Sequence, residues 1–326
     1  MPFQLFIGAR GVGKTYSALS YLAKRDNSVN KFLFMRRTDS EIERLITKYT
    51  NPFKTINRDQ GLTIDAEYMS KERYGLFYDN FIDSEEPPNV IGYAAALSTF
   101  AKMRGIDYND VDVIVFDEIV PEKHVHKITG EGEAFLHMYE TINRNREFDG
   151  REPLKVYMLC NSINLNNDIL LSLGIVSVIA DMKVKGRSRY TDKKRGIYIE
   201  LMENAEFRKR KGETALYRLT GGTEFSEQAL NNRFTQDDFT PISKVKLIEY
   251  NPLFTFGAYT VYTHKNTSAL YICKKKAVGV LNYEECDRDI MYWRFAPRYR
   301  QMVLARMVKY DDYATKLVFD ALTKRQ

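Results

Sequence analysis

Eight residues near the N-terminus carry the clearest chemical pattern of the 326-residue chain. They fit G-x-x-x-x-G-K-[ST], in which glycines let backbone N–H groups point inward around phosphates and the following helix adds the positive end of its dipole. The lysine of this pattern reaches the β- and γ-phosphates of a nucleotide, and the final hydroxyl ligates Mg²⁺. The sequence therefore predicts an ATP and Mg²⁺ site formed by Gly8, Ala9, Arg10, Gly11, Val12, Gly13, Lys14 and Thr15.

Two adjacent carboxylates, Asp117 and Glu118, follow the apolar run 113–116. Such a run predicts a buried strand, and ligands bind beyond the carboxyl ends of strands in open α/β sheets. Asp117 is then the second protein ligand of Mg²⁺, and Glu118 is placed to polarise the attacking water. Phosphotransferases must exclude that water, so the second acid favours an ATPase of the kind that drives motors, helicases and translocases. The alternative is an acidic strand end without a catalytic role.

Polar residues further along the chain are weaker candidates for the same site. Asn161 follows a predicted strand, where it either senses the γ-phosphate or forms a turn. Arg144 and Arg146 end a predicted helix, so one of them either stabilises the nucleotide of a neighbouring subunit or complements the helix dipole. Four further basic residues lie near predicted strand ends, and each either contacts a phosphate or is ordinary solvated charge. They are Arg36, Arg37, Arg104 and Lys123.

Strands alternate with helices over the first two-thirds of the chain, which predicts a doubly wound, mostly parallel α/β sheet. The residues Thr38 and Glu41 have the spacing of a capping box, which opens a helix expected to reach Tyr49. The predicted strands are 3–7, 31–35, 112–116, 154–159 and 197–201, and the predicted helices include 14–24 and 134–143. Hairpins are expected over 53–80, and the basic segment 183–196 is predicted to be a mobile loop or a domain boundary.

The character of the sequence changes beyond residue 240, where aromatic and β-branched residues dominate. We expect strands at 244–250, 254–264 and 269–274, followed by helices at 298–309 and 311–322. The predicted domains are therefore an ATPase domain at 1–197, a connector at 198–239 and a smaller α+β domain at 240–326.

Positive charge is concentrated in this last domain. Residues 240–326 contain 15 Lys and Arg against 8 Asp and Glu, which is a net charge of +7. The whole chain has a net charge of +6, so this domain holds all of the positive excess. A local basic excess indicates a surface that binds a polyanion, and the alternative is ordinary solvated charge. The run Lys274, Lys275 and Lys276 is the candidate nucleic-acid contact.

Composition excludes several other classes. The sequence contains no long apolar stretch that predicts a membrane span and no cleavable signal, so a cytoplasmic protein without membrane contact is expected. The three cysteines are far apart, and His124 and His126 lack a third ligand nearby, so no structural metal site is predicted.

Several of these segments together resemble the DNA-packaging ATPases, or encapsidation proteins, of small podophages with protein-primed linear genomes. The segments are GARGVGKT, FLFMRR, VIVFDE, NRNRE, LCNS and the connector LTGGTE with LNNRF. The resemblance implies a homopentameric ring at the portal vertex of a prohead in the host cytoplasm. That ring pumps double-stranded DNA at the expense of ATP, with a packaging RNA between ring and portal in some relatives.

In this family the C-terminal domain resembles a ribonuclease-H-like nuclease that has lost its activity. The segment 254–264 has no carboxylate where such nucleases need a metal-binding Asp. The acids Glu284, Glu285, Asp287 and Asp289 fall in one later segment, whereas two-metal chemistry needs acids from several elements. We therefore expect this domain to bind nucleic acid without cutting it.

Other functions are compatible with parts of this pattern. A helicase or recombination ATPase shares every residue of the nucleotide site and the basic domain. A nucleotide kinase has no use for Glu118 or for the basic domain. A non-catalytic nucleic-acid adaptor is expected to lack one of the key residues, and Lys14, Thr15, Asp117 and Glu118 are all present.

Overall fold

The computed structural model describes residues 1–27, 29–47, 49–79, 89–100, 108–121, 128–161, 165–202, 205–223, 226 and 238–323. The chain divides into two compact units, Met1–Leu173 with Gly186–Gln236, and Gly174–Lys185 with Asp237–Gln326. The segment 174–185, which the sequence analysis assigns to the ATPase domain, therefore packs with the second unit. Within these described ranges, no helix has the length and apolar character needed to cross a membrane.

A nine-stranded sheet forms the centre of the first unit, with the strand order β3-β4-β5-β2-β6-β7-β1-β9-β8. The six strands from β5 to β9 in this order run parallel, and antiparallel strands lie at both edges. This confirms the predicted doubly wound α/β class. The strands are β1 (Phe3–Gly8), β2 (Lys31–Arg36), β3 (Ile64–Met69), β4 (Tyr74–Asp79), β5 (Asn89–Ala96), β6 (Val111–Asp117), β7 (Lys155–Cys160), β8 (Arg189–Asp192) and β9 (Ile197–Met202).

Helices connect these strands, and their ends follow local sequence signals. The backbone N–H of Thr38 donates to the Glu41 carboxylate over 2.8 Å, so the capping box exists, although its helix ends at Leu45. The helices of the first unit are α1 (Lys14–Ala23), α2 (Asp39–Leu45), α3 (Lys54–Gln60), α4 (Leu97–Phe100), α5 (Glu131–Asn143), α6 (Asp168–Ser172), α8 (Ala205–Gly212) and α9 (Ala215–Leu219), whereas α7 (Val176–Val184) belongs to the second unit.

Aromatic side chains fill the core on one face of this sheet. The rings of Phe32, Phe53 and Phe77 lie with centroids 5.2 to 5.8 Å apart, and all three are fully buried. Gly92 on the neighbouring strand makes this packing possible, because a Cβ there would lie 2.5 Å from the Phe32 ring. Removing such a ring from a core typically costs about 3–5 kcal/mol. These contacts fix β2 against β4 and β5, and β2 pairs in parallel with β6 on its other side, so the carboxyl ends of β2 and β6 lie together at the candidate site.

The second unit has a five-stranded mixed sheet, ordered β13-β10-β11-β12-β14. Its elements are β10 (Tyr250–Phe256), β11 (Tyr259–His264), β12 (Leu270–Cys273), β13 (Leu281–Tyr283) and β14 (Val308–Tyr310), with α10 (Arg288–Leu304) and α11 (Tyr313–Leu322). The second unit therefore has the α+β class that the sequence predicts for the smaller C-terminal domain.

Several predicted elements are wrong. The strand expected at 244–250 is a short 3-10 helix, Leu247–Glu249, ahead of β10. The hairpins expected over 53–80 begin only at β3, because α3 precedes them. The strand expected over 254–264 is two strands, because Gly257 has a φ of +53° and turns the chain into a hairpin. The helix expected over 298–309 begins at Arg288, because Met291, Phe295 and Tyr299 form one buried face. The basic segment 183–196 is not a loop throughout, since β8 pairs with β9, but a boundary between the two compact units does fall within it, between Lys185 and Gly186.

Candidate active site

The phosphate-binding loop joins β1 to α1, as its sequence predicts. Gly11 and Gly13 adopt φ angles of +85° and +88°, a left-handed region that side chains other than glycine rarely occupy. Gly13 is also the residue before the ten-residue helix α1. The loop therefore ends at a helix N-terminus, where backbone N–H groups and the helix dipole favour an anion.

The Lys14 ammonium is folded back onto its own loop. It donates to the carbonyl oxygens of Gly8 and Ala9 over 2.7 and 3.0 Å, and to the side-chain oxygen of Asn161 over 3.1 Å. Burial lowers the pKa of this lysine, while the carboxylates of Asp117 and Glu118 act in the opposite direction. The candidate lysine and the candidate γ-phosphate sensor are thus already in contact.

The Thr15 hydroxyl and the Asp117 carboxylate meet at the carboxyl edge of the sheet. The hydroxyl donates to Asp117 Oδ1 over 3.0 Å. Asp117 is only 5% exposed, and burial raises the pKa of its carboxyl, although the neighbouring Arg36 lowers it. Two oxygen ligands side by side suit Mg²⁺, which is bound through one or two protein groups together with substrate phosphates and water.

Glu118 differs from Asp117 in both exposure and backbone geometry. Its side chain is 42% exposed, and its φ of +58° lies in the left-handed region. The Arg36 guanidinium bridges the two acids, at 3.3 Å from Asp117 Oδ2 and 2.5 Å from Glu118 Oε2. The single positive charge of this arginine offsets part of the repulsion between the two adjacent carboxylates.

Arg37, the next residue along, lies in a different environment. Its guanidinium forms two hydrogen bonds to the Glu131 carboxylate, of 2.6 and 3.1 Å, and both side chains are nearly inaccessible to solvent. This pair connects the end of β2 to the first turn of α5. Arg37 is thus a structural residue, and Arg36 is the arginine that reaches the candidate site.

A cavity of about 460 Å³ opens over these groups. It is lined by the loop, by the two acids at the end of β6 and by the end of β7, where Cys160 and Asn161 follow one another. Burial raises the pKa of the Cys160 thiol to about 12, so this cavity-lining residue remains an uncharged thiol at neutral pH. The lining residues are Arg10, Gly11, Gly13, Lys14, Thr15, Tyr16, Asp117, Glu118, Cys160 and Asn161.

Arg144 and Arg146 lie at the opposite edge of the sheet from this cavity. Arg146 is 4% exposed and donates to the carbonyl oxygen of Val111 over 2.7 Å, at the start of β6. Asp117 ends the same strand, roughly 20 Å away at about 3.3 Å per residue. Arg144 is exposed and donates to the Asn109 side chain over 3.3 Å. Of these two arginines, Arg144 has the exposed side chain and Arg146 the buried one.

The three consecutive lysines of the second unit are exposed after β12. Lys274 forms an ion pair with Asp312 over 3.1 Å, and its backbone N–H donates to Asp311. No ion pair of Lys275 or Lys276 is observed with the described residues. Arg104, Lys123, His124, His126 and the connector residues 224 and 230–234 lie outside those residues.

Sequence analysis missed one group at this site. The Lys211 ammonium of α8 donates to the carbonyl oxygen of Arg10, at the rim of the cavity. These residues are 201 positions apart, and no motif connects them. The only sequence signal is the basic composition of α8, which is typical of a solvated helix.

A glycine-rich loop between β1 and α1, with adjacent acids at the end of the parallel strand β6 and with β7 between β1 and β6, defines the P-loop nucleotide hydrolase class of fold. Within this class the chain belongs to the podovirus DNA encapsidation protein (Gp16) family, whose model matches residues 2–289. The DNA packaging proteins of Bacillus phages PZA and phi29 are each 30% identical to the chain over 275 residues, which cover 82% of this chain and 73% of theirs.

Two solved structures share the fold over nearly the whole chain. The Phi-28 gp11 DNA packaging motor gives a TM-score of 0.64 at 19% identity and covers all of this chain and 95% of that one. The bacteriophage Phi-29 viral genome packaging motor assembly gives a TM-score of 0.63 at 18% identity, with 98% and 94% covered. The order of α/β unit and smaller α+β unit is thus shared with packaging motor proteins.

Proposed function

We propose that this protein hydrolyses ATP to translocate double-stranded DNA into a preformed viral capsid. The observation that carries the ATPase part of the proposal is the contact of Thr15 with Asp117, beside a lysine and an amide that line the same cavity. Membership of the encapsidation protein family supports the packaging part.

The residues of the loop bind the substrate in this proposal. Backbone N–H groups at the start of α1 and the Lys14 ammonium bind the β- and γ-phosphates of ATP. The Thr15 hydroxyl and the Asp117 carboxylate hold Mg²⁺, which neutralises developing phosphate charge when it is bound. The fit is good, because both protein oxygens lie at one point of the cavity and are already 3.0 Å apart.

Glu118 and Asn161 act on hydrolysis itself. Glu118 orients and deprotonates the attacking water, for which its partly exposed carboxylate is suited. Arg36 must release Glu118 for this, so we assign to Arg36 the role of holding the base inactive until the nucleotide is bound. Asn161 loses its bond to Lys14 when the lysine turns to the phosphates, so the amide can respond to the γ-phosphate.

The ring and its partners complete the proposal. By analogy with the Phi-29 motor assembly, the chain forms a ring, taken as a pentamer, on the portal of the prohead, with a packaging RNA in some relatives. It acts in the host cytoplasm at this vertex. Arg144 reaches the neighbour's nucleotide, whereas Arg146 anchors the end of α5. The functional domains remain proposed as 1–197, 198–239 and 240–326, with the last one gripping DNA without cutting it.

Measuring ATP turnover with and without duplex DNA tests the proposal. We expect DNA to accelerate turnover, and purified proheads to recruit the protein and allow encapsidation of duplex DNA. The Lys14→Ala variant should lose nucleotide binding and serve as the inactive control. DNA-stimulated turnover without any binding to proheads favours a helicase or recombination ATPase instead, and phosphate transfer to a nucleoside favours a kinase.

A further inference from the structure

A second lysine reaches the phosphate-binding loop from outside the loop motif. Lys211 lies in the last turn of α8, is half-buried, and donates to the carbonyl oxygen of Arg10. Helix α8 follows β9, which pairs in parallel with β1. The two strands therefore end at the same edge of the sheet, which brings α8 to the loop.

Aromatic rings fix the position of this lysine. Its ammonium lies 5.6 Å from the ring centroid of Phe207 and 5.1 Å from that of Tyr217. The Phe207 ring also packs against Gly11, where a Cβ would meet the ring at 3.2 Å. Because two rings and one carbonyl hold the ammonium, its location beside the loop is defined by the fold of α8 and α9.

Lys14 and Lys211 bind consecutive carbonyl groups of one loop. Lys14 donates to the carbonyl oxygens of Gly8 and Ala9, and Lys211 donates to that of Arg10. Consecutive Cα atoms are only about 3.8 Å apart, so both ammonium groups bind within a short stretch of the loop that ends at the cavity-lining residue Arg10. In agreement with this, the charge of Lys211 is among the causes that lower the pKa of Lys14.

Two like charges at one cavity repel each other unless an anion lies between them. An ammonium has three N–H donors, so a bond to a carbonyl is compatible with further bonds to phosphate oxygens. We propose that Lys211 is a second cationic ligand for the terminal phosphate of bound ATP, alongside Lys14. The proposal rests on the ATPase function proposed above, and it makes α8 an element that contacts ATP but not ADP.

Nucleotide affinity of the full-length chain tests this role. Calorimetric titration with Mg²⁺ and a non-hydrolysable ATP analogue, and in parallel with ADP, should be done on the wild type and on Lys211→Ala. We expect the variant to bind the ATP analogue about 10-fold more weakly, the effect of losing one charge-assisted hydrogen bond, and to bind ADP within about twofold of the wild type.

Lys209→Ala is the matched control, because Lys209 is an exposed lysine of the same helix. It should bind both nucleotides like the wild type, and Lys211→Arg should recover most of the affinity for the ATP analogue. Equal values for Lys211→Ala and Lys209→Ala, or an equal loss for ATP analogue and ADP, would overturn the proposal.

Lys14→Ala separates this inference from the function on which it rests. If Lys14→Ala abolishes nucleotide binding while Lys211→Ala matches its control, Lys211 has no phosphate role and the ATPase proposal stands. If the wild type and Lys14→Ala bind equally poorly, the ATPase proposal itself fails. Unchanged thermal unfolding of Lys211→Ala would exclude a loss of fold as the cause of any change.

Discussion

Glu118 combines an exposed carboxylate with an unusual backbone conformation. Its φ of +58° costs energy in a residue with a Cβ, and such strain is often concentrated at functional sites. Its neighbour Asp117 is the last residue of β6 and keeps the strand conformation. The change of backbone conformation between them places two adjacent acids in different surroundings, with Asp117 buried beside Thr15 and Glu118 partly exposed.

The Glu118→Gln variant should separate binding from hydrolysis. We expect it to bind Mg²⁺ and ATP with near-normal affinity but to lose at least about a hundredfold in turnover, because the amide cannot accept a proton from water. Titration with a fluorescent nucleotide and steady-state phosphate release measure the two quantities. Near-normal turnover in this variant would show that another group activates the water.

The local motif explains how much of this site could be predicted from the sequence. The loop and the acids after β6 are contiguous, so their chemistry is visible without a structure. Arg36 and Arg37 look equivalent in sequence, yet Arg36 ends β2 beside the two acids, whereas Arg37 lies just beyond the strand and pairs with Glu131. Contacts across long separations, such as that of Lys211 with Arg10, depend on the complete fold and could not be predicted.

Element limits in the second unit depended on long-range packing in the same way. The chain between 305 and 309 reads as a continuing helix, but Val308–Tyr310 pairs in parallel with β12 instead. The Tyr310 hydroxyl also bonds to that of Tyr299, which in turn donates to Asp320 over 2.7 Å. Strand pairing and buried hydroxyl bonds thus override local helix propensity here.

Asp312 is the N-cap of α11, and its carboxylate accepts from the Thr315 backbone N–H over 2.7 Å. Burial raises the pKa of this carboxyl, but the bond from Thr315 and the ion pair with Lys274 outweigh burial and lower it overall. Because the folded-state pKa lies below the unfolded one, the charged carboxylate stabilises the fold above the unfolded pKa. This contribution is lost as the pH falls through the lowered, folded-state value.

Asp312→Ala should therefore lower the free energy of unfolding by about 1 kcal/mol at neutral pH, the usual effect of losing such a cap. The difference from the wild type should shrink once the pH falls below the unfolded pKa of about 3.9. Urea unfolding followed by circular dichroism measures the free energies of unfolding of the variant and the wild type.

Asp312→Asn is the matched control for this cap, since asparagine also caps helices but carries no charge. It should lose less stability than the alanine variant at neutral pH. A stability difference between Asp312→Ala and the wild type that does not change on acidification would show that the charge of Asp312 does not contribute.

At the scale of the assembled ring, Arg144 should act across a subunit boundary. In a mixture of Glu118→Gln subunits and Arg144→Ala subunits, some interfaces join the intact Glu118 of an Arg144→Ala subunit to the intact Arg144 of a Glu118→Gln subunit. We expect the mixture of two inactive variants to recover part of the ATP turnover, by analogy with arginines that complete a neighbour's site. No recovery at any mixing ratio would argue that Arg144 acts within its own subunit or not at all.

The basic second unit should bind DNA through phosphates and without sequence preference, as a motor that releases and regrips any sequence requires. Affinity should fall linearly on a log–log salt plot, because neutralised phosphates release counterions. Changing Lys275 and Lys276 together to alanine should reduce the slope by about 2, at roughly 0.9 per phosphate contact. Lys274 is kept unchanged, since it is paired with Asp312.

Lys193→Ala with Lys194→Ala is the control for this measurement, because these are two adjacent exposed lysines of the first unit. It should leave the slope unchanged. A salt dependence that is flat in the wild type would mean that the basic residues are ordinary solvated surface. Nicking of the DNA in Mg²⁺ or Mn²⁺ that disappears on changing Asp287 would make the domain a nuclease.

The three cysteines of the chain differ sharply in exposure: Cys160 and Cys273 are buried, and Cys286 is exposed. Burial raises the pKa of both buried thiols, and the thiolate is the form that reacts with alkylating reagents. A maleimide dye at neutral pH should therefore attach to Cys286 alone. The natural protein thus provides a single labelling position for fluorescence experiments on individual molecules, without any cysteine having to be removed or introduced.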